Sequence, residues 1–440
     1  MLLQNALHAS LTDPSLEVMN FLNEIAIRFP EAISFAPGRP NEQFYEAEKL
    51  TVYLDAYRRY LREERGLTEA QVKTQLFQYG RTNGHIHDLI ARMLEKDEGI
   101  RAAKESIVVT VGCQEGMFIS LRALFSAPTD VLLVGMPCYI GITGAAKLLG
   151  IEIVPVTERE DGLDLQELED TLSRLKAEGK QPRALYLVAD FANPSGKSLP
   201  VPARKRLLEI ARGAGFLIIE DNPYGFFFRE GPRKPTLKSM DEHQQVIYLG
   251  SFSKSAFPGV RVGYAVADQR VLGATGKQHL LADEFSKIKS MLTVNTPALS
   301  QAIIGGMLVM NEGGLLDANR EAIRFYKENM DATLGALERH FPRSEAWARG
   351  VTWNVPEGGF FLVMKLPIEA DEALLERSAK HHQVIWTPMR YFYLGSGGET
   401  ELRLSCSYLT PAEIEEGISR LARLIRSALE QQPARALSVG

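Results

Sequence analysis

Short apolar segments alternate with segments of helical periodicity between about residues 70 and 320. The apolar segments are Ser106–Val111, Val131–Val134, Ile151–Val156, Ala184–Val188, Phe216–Glu220, Val246–Leu249 and Val262–Val266. In the intervening segment Leu165–Ala177, leucines recur at helical spacing. Strands that are apolar on both faces and separated by helices indicate a mainly parallel sheet covered on both sides. The sequence therefore predicts an α/β fold with a large domain at residues 66–320.

The C-terminal third of the sequence has a different pattern. A long helical stretch from Leu315 to Arg339 precedes shorter strand-like segments, with further helices at Glu369–His381 and Pro411–Leu429. This mixture predicts a smaller α+β domain at residues 321–440. Residues 1–65 are interpreted as an N-terminal arm that forms part of this small domain.

The composition excludes several classes of protein. With 50 basic and 55 acidic residues the formal net charge is −5, which gives no basic surface for nucleic acid or an anionic membrane. The two long uncharged runs, Val131–Ala146 and Ser290–Asn311, are too short or too polar to span a bilayer. Three cysteines without a CxxC pair predict neither a disulfide framework nor a metal site and favour the cytoplasm.

The segment Tyr248–Tyr264 is the most informative part of the sequence for chemistry. A predicted strand ends in it and is followed by Ser251, Ser253, Lys254, a Pro-Gly turn and Arg261. A lysine at a strand end is open to desolvation, which lowers its pKa and frees the amine for Schiff-base chemistry. Hydroxyls and a guanidinium suit a phosphate monoester. Taken alone, the segment is equally compatible with a solvated surface loop.

Three further segments place polar groups after other predicted strands. Asp221 follows Phe216–Glu220, Asn193-Pro-Ser-Gly196 follows Ala184–Val188, and Gly112-Cys-Gln-Glu-Gly116 opens a helix after Ser106–Val111. Individually these are ordinary caps and turns, although a helix N-terminus also suits a phosphate. Together they lie where open α/β sheets bind ligands, beyond the carboxyl ends of the strands.

The combined pattern resembles the class I and II aminotransferases, which have the aspartate-aminotransferase fold. The resemblance rests on S-x-S-K-x-x-x-P-G-x-R-x-G at residues 251–263, with D-x-x-Y and N-P-x-G upstream. It extends from about Ile33 to Leu424 and is strongest to the aminoadipate and kynurenine aminotransferases. It implies fold type I, pyridoxal 5′-phosphate as cofactor, and a homodimer with shared active sites.

The resemblance also implies roles for residues around the cofactor ring. Lys254 would form the Schiff base and move protons, and Asp221 would hold the protonated ring nitrogen. Asn193 and Tyr224 would bind the phenolic oxygen, with Tyr224 counted among the catalytic residues. Tyr139 matches the aromatic residue that stacks on the ring.

Other residues match the family's phosphate and substrate contacts. The phosphate would be held by Gly112, Cys113, Gln114, Ser251, Ser253 and Arg261, and by Tyr79 of the neighbouring subunit. The substrate α-carboxylate would be bound by Arg403, with Gly38, Arg39 and Asn193 completing the substrate site.

Two departures from the family pattern limit what the sequence says about the substrate. Asp190-Phe191-Ala192 leads into the N-P-x-G motif, and Met389–Tyr393 replaces a proline-glycine turn. Arg39, Arg81 and Arg390 are candidates for binding a second anionic group of the substrate. The alternative for each of them is a structural role. The favoured function is transamination between an α-amino acid and a 2-oxo acid. One alternative is cyclisation, elimination or replacement, oxidation or C–C bond formation in specialised metabolism, and another is non-catalytic amino-acid sensing.

Overall fold

The computed structural model describes residues 2–3, 6–13, 24–25 and 27–431. The strands of this part are β1 Ile33–Ser34, β2 Ile107–Thr110, β3 Asp130–Met136, β4 Glu152–Arg159, β5 Gly162–Leu163, β6 Gln181–Leu187, β7 Leu217–Asp221, β8 Val246–Ser251, β9 Gly263–Val266, β10 Arg270–Leu272, β11 Gln278–Leu280, β12 Thr352–Trp353, β13 Phe361–Lys365, β14 Val384–Ile385, β15 Thr387–Pro388 and β16 Glu401–Ser405.

The α-helices of the described chain connect these strands and cover the sheets. They are Glu48–Glu63, Glu69–Phe77, His87–Met93, Gly112–Leu124, Ile140–Leu148, Leu165–Ala177, Val201–Ala214, Leu237–Met240, Phe252–Ser255, Leu281–Leu292, Ala298–Met310, Arg320–His340, Glu372–Arg377 and Pro411–Glu430.

The large sheet has eight strands in the order β2-β9-β8-β7-β6-β3-β4-β5. Strands β8, β7, β6, β3 and β4 are mutually parallel, β9 runs antiparallel between β2 and β8, and β5 is an antiparallel edge strand. The central strands are almost wholly buried because helices pack on both faces. The predicted α/β fold with a mainly parallel sheet is confirmed.

This topology brings together five of the chain segments that follow strands, at the edge of the large sheet formed by the carboxyl ends of its parallel strands. The parallel strands β3, β6, β7 and β8 and the strand β2 all end there, and the antiparallel strand β9 begins there. The segments after β2, β6, β7 and β8 carry the sequence motifs, and the segment after β3 carries Tyr139. The edge is where an open α/β sheet places its ligand.

A second, antiparallel sheet with the order β12-β13-β16-β15 forms near the C-terminus. The helices Arg320–His340 and Pro411–Glu430 pack on each other, and their apolar residues share one core with this sheet. The strand β1 pairs in parallel with β14, so Phe35 is fully buried in the same core. Residues from the beginning of the chain therefore complete the C-terminal unit.

The rest of the N-terminal region packs elsewhere. The helix Glu48–Glu63 buries Tyr57, Tyr60 and Leu61 against Ala298–Met310, in a core shared with strands β2 and β9. The predicted N-terminal segment, residues 1–65, therefore contacts both the C-terminal unit and the unit that contains the large sheet. The boundaries at 65/66 and 320/321 stay a prediction.

Several local elements differ from the sequence-based expectation. The continuous helix predicted at Glu369–His381 ends as regular α-helix at Arg377 and continues through the wider turn Ser378–His382. The uncharged run Ser290–Asn311 contains the 13-residue helix Ala298–Met310. Within the described residues, none of the helices combines the length and apolar character required to cross a membrane.

Candidate active site

Lys254 lies in a short helix that begins where strand β8 ends. The hydroxyl of Ser251 caps this helix by accepting a hydrogen bond from the Ser253 backbone N–H at 3.1 Å. The Lys254 side chain is partly buried, and its Nζ donates to the carbonyl oxygen of Gly38 at 2.7 Å. The strand end thus directs the amine toward the segment that follows β1.

The surroundings of Lys254 favour its neutral amine. Burial lowers its pKa to about 8, and the positive charges of Arg261 and Arg403 act in the same direction. Asp221 opposes this shift. A pKa near 8 leaves about a tenth of the amine neutral at pH 7, far more than for an ordinary lysine. The neutral form is the nucleophile that Schiff-base formation requires.

Asp221 is buried at the end of strand β7, and its two carboxylate oxygens differ. Oδ2 accepts a hydrogen bond from the Tyr186 hydroxyl at 2.9 Å. Oδ1 is buried and has no hydrogen-bond partner among the described residues. Burial raises the pKa of Asp221 to about 6, while the Tyr186 hydrogen bond and the charge of Lys254 oppose the rise. The unpartnered oxygen is suited to a protonated ring nitrogen.

A turn between β2 and the helix Gly112–Leu124 faces Arg261. Gly112 has φ +72°, and a Cβ added there would lie 2.4 Å from Nη2 of Arg261. Arg261 itself has φ +51°, and its Nη1 donates to the Ser253 hydroxyl at 3.5 Å. A strained non-glycine backbone of this kind is held by its surroundings and is frequent at functional sites. The helix N-terminus, the guanidinium and the hydroxyl together suit a phosphate.

The two remaining residues of the Gly112 turn lie beside these groups. Cys113 is partly exposed, and burial of its thiol, followed by the charge of Asp221, raises the pKa of the thiol. Gln114 donates from its amide nitrogen to the carbonyl oxygen of Gly141 at 2.8 Å. This bond joins the turn to the helix that follows Tyr139.

Arg403 lies on strand β16 of the C-terminal sheet and is buried. Its Nη1 donates to Oδ1 of Asn193 at 2.6 Å, and its Nη2 donates to the carbonyl oxygen of Ala36 at 2.7 Å. Its Nε is buried without a partner in the described part of the chain. The guanidinium stacks on the rings of Phe361 and Phe392, at 4.3 and 5.0 Å from their centroids. These contacts fix the plane of the fork.

Asn193, Tyr224 and Tyr139 surround the space between the two units. Asn193 is linked to Arg403, as described above, and the Tyr224 ring centroid is 5.9 Å from Lys254 Nζ. Burial raises the pKa of Tyr224, and it raises that of Tyr139 to about 12. Both phenols therefore keep their protons at neutral pH and are available as hydrogen-bond donors.

The glycine of the N-P-S-G motif brings this space close to the C-terminal sheet. Gly196 has φ +70°, and a Cβ there would lie 2.3 Å from the carbonyl oxygen of Phe361. Only glycine satisfies both the backbone conformation and the close approach. The motif therefore serves as a contact between the two units as well as carrying Asn193.

Four residues singled out in the sequence lie outside this cluster. Arg39 is exposed, with its guanidinium 4.0 Å from the Tyr408 ring centroid. Tyr79 is 85% exposed, and Arg81 is exposed as well. Arg390 forms an ion pair of 2.5 Å with Glu372. Within one chain, none of the four described side chains joins Lys254, Asp221 and Arg403.

The structure accounts for one of the two departures from the family pattern. Asp190 is buried and forms an ion pair of 2.5 Å with Arg204, whose side chain is fully buried. Arg204 also donates to the carbonyl oxygens of Leu199, Pro235 and Ala189. Since the buried guanidinium requires a counterion, Asp190 has a structural role. In the other departure, Met389–Phe392 forms a helical turn whose Phe392 carbonyl accepts from the Cys138 N–H at 2.9 Å.

Sequence reasoning missed two residues that act on the cluster. Tyr186 holds Asp221, and Phe361 lies against the Arg403 guanidinium. The only signal for Tyr186 is a hydroxyl among the aliphatic residues of the buried second half of strand β6. Phe361 has no signal because an aromatic residue in a strand is usually part of a core. Among the described residues, no cluster of metal ligands is found.

The residues present fit pyridoxal 5′-phosphate. The unpartnered Oδ1 of Asp221 is suited to the ring nitrogen, and the turn at Gly112 with Arg261 and Ser253 is suited to the phosphate. Lys254, whose amine has a lowered pKa, is close enough to be influenced by the charges of both Arg261 and Asp221. All three requirements of the cofactor are met at one edge of the sheet.

Comparison with known proteins identifies the class. Residues 45–421 match the family model of aminotransferase class I and II, and the chain belongs to this family. It is therefore a fold type I, pyridoxal-phosphate-dependent aminotransferase. It is 49% identical over 423 residues to (S)-3,5-dihydroxyphenylglycine transaminase of Amycolatopsis orientalis. The aligned region covers 96% of this chain and 94% of that protein.

Two solved structures support the resemblance to the aminoadipate and kynurenine aminotransferases. The kynurenine aminotransferase of Pyrococcus horikoshii has a TM-score of 0.81 and 29% identity and covers 98% of each chain. The α-aminoadipate aminotransferase LysN of Thermus thermophilus has a TM-score of 0.79 and 30% identity, covering 98% of this chain and 100% of its own. The predicted family, fold, cofactor and activity are thereby confirmed.

Proposed function

We propose that this aminotransferase accepts an α-amino acid whose α-carbon carries an aromatic ring, with a 2-oxo acid as the second substrate. The proposal rests on the relative that is 49% identical and is named for a dihydroxyphenylglycine. The aromatic lining of the site supports it, since Tyr139, Tyr224, Phe361 and Phe392 surround Arg403 and Lys254. An aryl side chain packs favourably among such rings.

The observation that carries the assignment of roles is the convergence of Lys254, Asp221 and Arg403 at one edge of the large sheet. The bound cofactor supplies an electron sink that makes the substrate α-proton acidic. Lys254 Nζ would be the base that takes up this proton and later releases it. Arg403 holds the α-carboxylate through its planar fork, which orients the α-carbon toward the lysine.

The remaining groups of the site bind and orient. Asp221 keeps the ring nitrogen protonated, and the Tyr186 hydroxyl keeps Asp221 ionised by bonding to its Oδ2. Asn193 and Tyr224 hold the phenolic oxygen of the cofactor. The phosphate is held by the set Gly112, Cys113, Gln114, Ser251, Ser253 and Arg261. The backbone of Gly38 contacts the substrate carboxylate, and Arg39, the next residue in the chain, belongs to the same substrate-binding segment.

A half-reaction tests the proposed outcome and substrate. Without a 2-oxo acid, (S)-3,5-dihydroxyphenylglycine should convert one equivalent of bound cofactor to its amino form and then stop. Addition of a 2-oxo acid should restart the reaction. The cofactor absorbance and the released product are followed together, with 2-aminoadipate and kynurenine as comparison substrates.

Two results of this experiment would contradict the proposal. Continued turnover without a 2-oxo acid would favour elimination, cyclisation or another reaction over transamination. A faster half-reaction with 2-aminoadipate than with the arylglycine would reject the aromatic substrate while leaving transamination intact.

We also propose a homodimer with shared active sites, in the cytoplasm. Tyr79 and Met291 are 85% and 83% exposed, and Phe77 is 68% exposed, so a single chain leaves large apolar groups at its surface. Such a surface is typical of an interface, and the family resemblance assigns Tyr79 to the neighbouring subunit's phosphate. The three cysteines, all in the described chain, are free thiols, as is usual in a reducing compartment.

Subunit complementation tests the shared site. Lys254→Ala and Tyr79→Ala chains, each nearly inactive alone, should regain about a quarter of wild-type activity when unfolded together and refolded as an equal mixture. The recovery arises because each mixed dimer contains one site with both native residues. A chain carrying both substitutions, mixed with Lys254→Ala, serves as the control and should stay inactive. Absence of recovery in dimers shown to be mixed would place Tyr79 in its own subunit's site.

A further inference from the structure

A buried ion pair lies directly behind the proposed phosphate-binding turn. Glu115 is in the first turn of the helix Gly112–Leu124, and its side chain is 7% exposed. Lys289, from the helix Leu281–Leu292, is fully buried and approaches Oε2 of Glu115 to 2.7 Å. The family resemblance assigns no role to either residue.

The contacts of Glu115 connect the ion pair to the turn itself. Its Oε2 also accepts a hydrogen bond from the backbone N–H of Val111 at 2.6 Å, immediately before Gly112. Its Oε1 accepts from the Thr293 hydroxyl at 2.6 Å, and Lys289 also donates to that hydroxyl at 3.0 Å. The carboxylate thus fixes the residue at which the turn begins, and Lys289 fixes the carboxylate.

The charges at this position have opposite effects on a bound phosphate. A carboxylate in the first turn of a helix competes with an anion for the positive end of the helix dipole and repels it directly. A lysine bonded to the same carboxylate oxygen cancels this repulsion. Removing only the lysine leaves a buried, uncompensated negative charge, which is the costliest way to break a buried pair.

We propose that Lys289 is a positioning residue for the phosphate group of the cofactor, because it neutralises Glu115 behind the turn that receives the phosphate. This inference rests on the proposed assignment of the phosphate to Gly112–Gln114. It gives Glu115 and Lys289 unequal effects on phosphate binding, although both belong to one ion pair. A merely structural pair would give losses of similar size on removal of either partner.

The experiment compares binding of pyridoxal phosphate and of pyridoxal, which lacks the phosphate, to the cofactor-free protein. Both binding reactions are followed by absorbance titration near pH 8. Lys289→Met should weaken pyridoxal phosphate binding about tenfold or more and leave pyridoxal binding within about threefold. Glu115→Gln should bind pyridoxal phosphate as tightly as the wild type or more tightly, because the negative charge behind the turn is then gone.

The double variant Glu115→Gln/Lys289→Met completes the test and covers the case in which Lys289→Met alone does not fold. It carries no net charge at this position and should bind pyridoxal phosphate within about threefold of the wild type. Losses of similar size in both single variants, or equal losses for pyridoxal and pyridoxal phosphate, would overturn the proposal.

Failure of the underlying phosphate assignment gives a different result. A wild-type protein that binds pyridoxal and pyridoxal phosphate equally would reject the phosphate site at Gly112 and this inference with it. A wild-type protein that prefers pyridoxal phosphate, combined with an unchanged Lys289→Met variant, would reject only the role of Lys289.

Discussion

Replacement of Lys254 by alanine is expected to lower the rate of transamination by about a thousandfold or more. The variant loses both the amine that attaches the cofactor and the base that moves the substrate proton. Because the cluster of Asp221, Arg261 and Ser253 is unchanged, it should still bind the cofactor without a covalent link. Steady-state kinetics and an absorbance titration measure the two effects separately.

The covalent link itself is tested by borohydride reduction of the wild-type enzyme followed by peptide mapping. The added mass should be found on the peptide that contains Lys254.

The pH dependence of cofactor attachment gives a second test. Since burial lowers the pKa of Lys254 to about 8, the rate of attachment to cofactor-free protein should rise with pH and level off above this value. Lys287, an exposed lysine paired with Glu284, offers a matched control, and Lys287→Ala should keep full activity. Reduction product on another lysine would reject the assignment.

Replacement of Arg403 by alanine should weaken amino-acid binding by tenfold to a hundredfold or worse while the cofactor remains bound. Charge-assisted hydrogen bonds to a carboxylate contribute about 1.5–3 kcal/mol, which corresponds to this range. Burial lowers the pKa of Arg403 to about 10, so the guanidinium is still charged at neutral pH. The loss should therefore appear across the whole neutral range, in the spectral titration of the enzyme with substrate.

Two further variants separate carboxylate binding from structural effects of Arg403. Arg403→Lys keeps a positive charge but loses the fork, and it should recover only part of the affinity. Arg390→Met removes a surface arginine that is paired with Glu372, and it should leave affinity unchanged. Equal affinities of Arg403→Ala and the wild type would show that another group holds the carboxylate.

The parts of the fold that the sequence predicts correctly are those with a strong local signal. The parallel strands are continuous apolar runs separated by helical segments, and these runs locate the strands to within a few residues. The edge of the sheet that carries the site follows from the chain direction of these strands. Lys254, Asp221 and Asn193 are identifiable because each lies at the end of one of these strands or just after it. Each also belongs to a motif whose residue spacing matches that of the family.

Other features depend on contacts between distant segments and have no local signal. Nothing near Asp190 in the sequence indicates that Arg204 needs a buried counterion. Tyr186 reaches Asp221 because their strands, β6 and β7, are neighbours in the sheet. Arg390 was a candidate for substrate binding, but Glu372, eighteen positions earlier in the sequence, pairs with it. In each case the deciding partner is set by the tertiary fold.

The order in which the chain is synthesised gives the bond between Arg403 and Ala36 a further meaning. The two residues are separated by 367 positions, whereas every strand of the large sheet is complete once Val266 has been made. A nascent or truncated chain that ends between residues 266 and 403 therefore contains Lys254, Asp221 and the turn at Gly112, but lacks the arginine proposed to hold the substrate. The capacity to hold a cofactor is encoded earlier in the message than the capacity to select an amino acid.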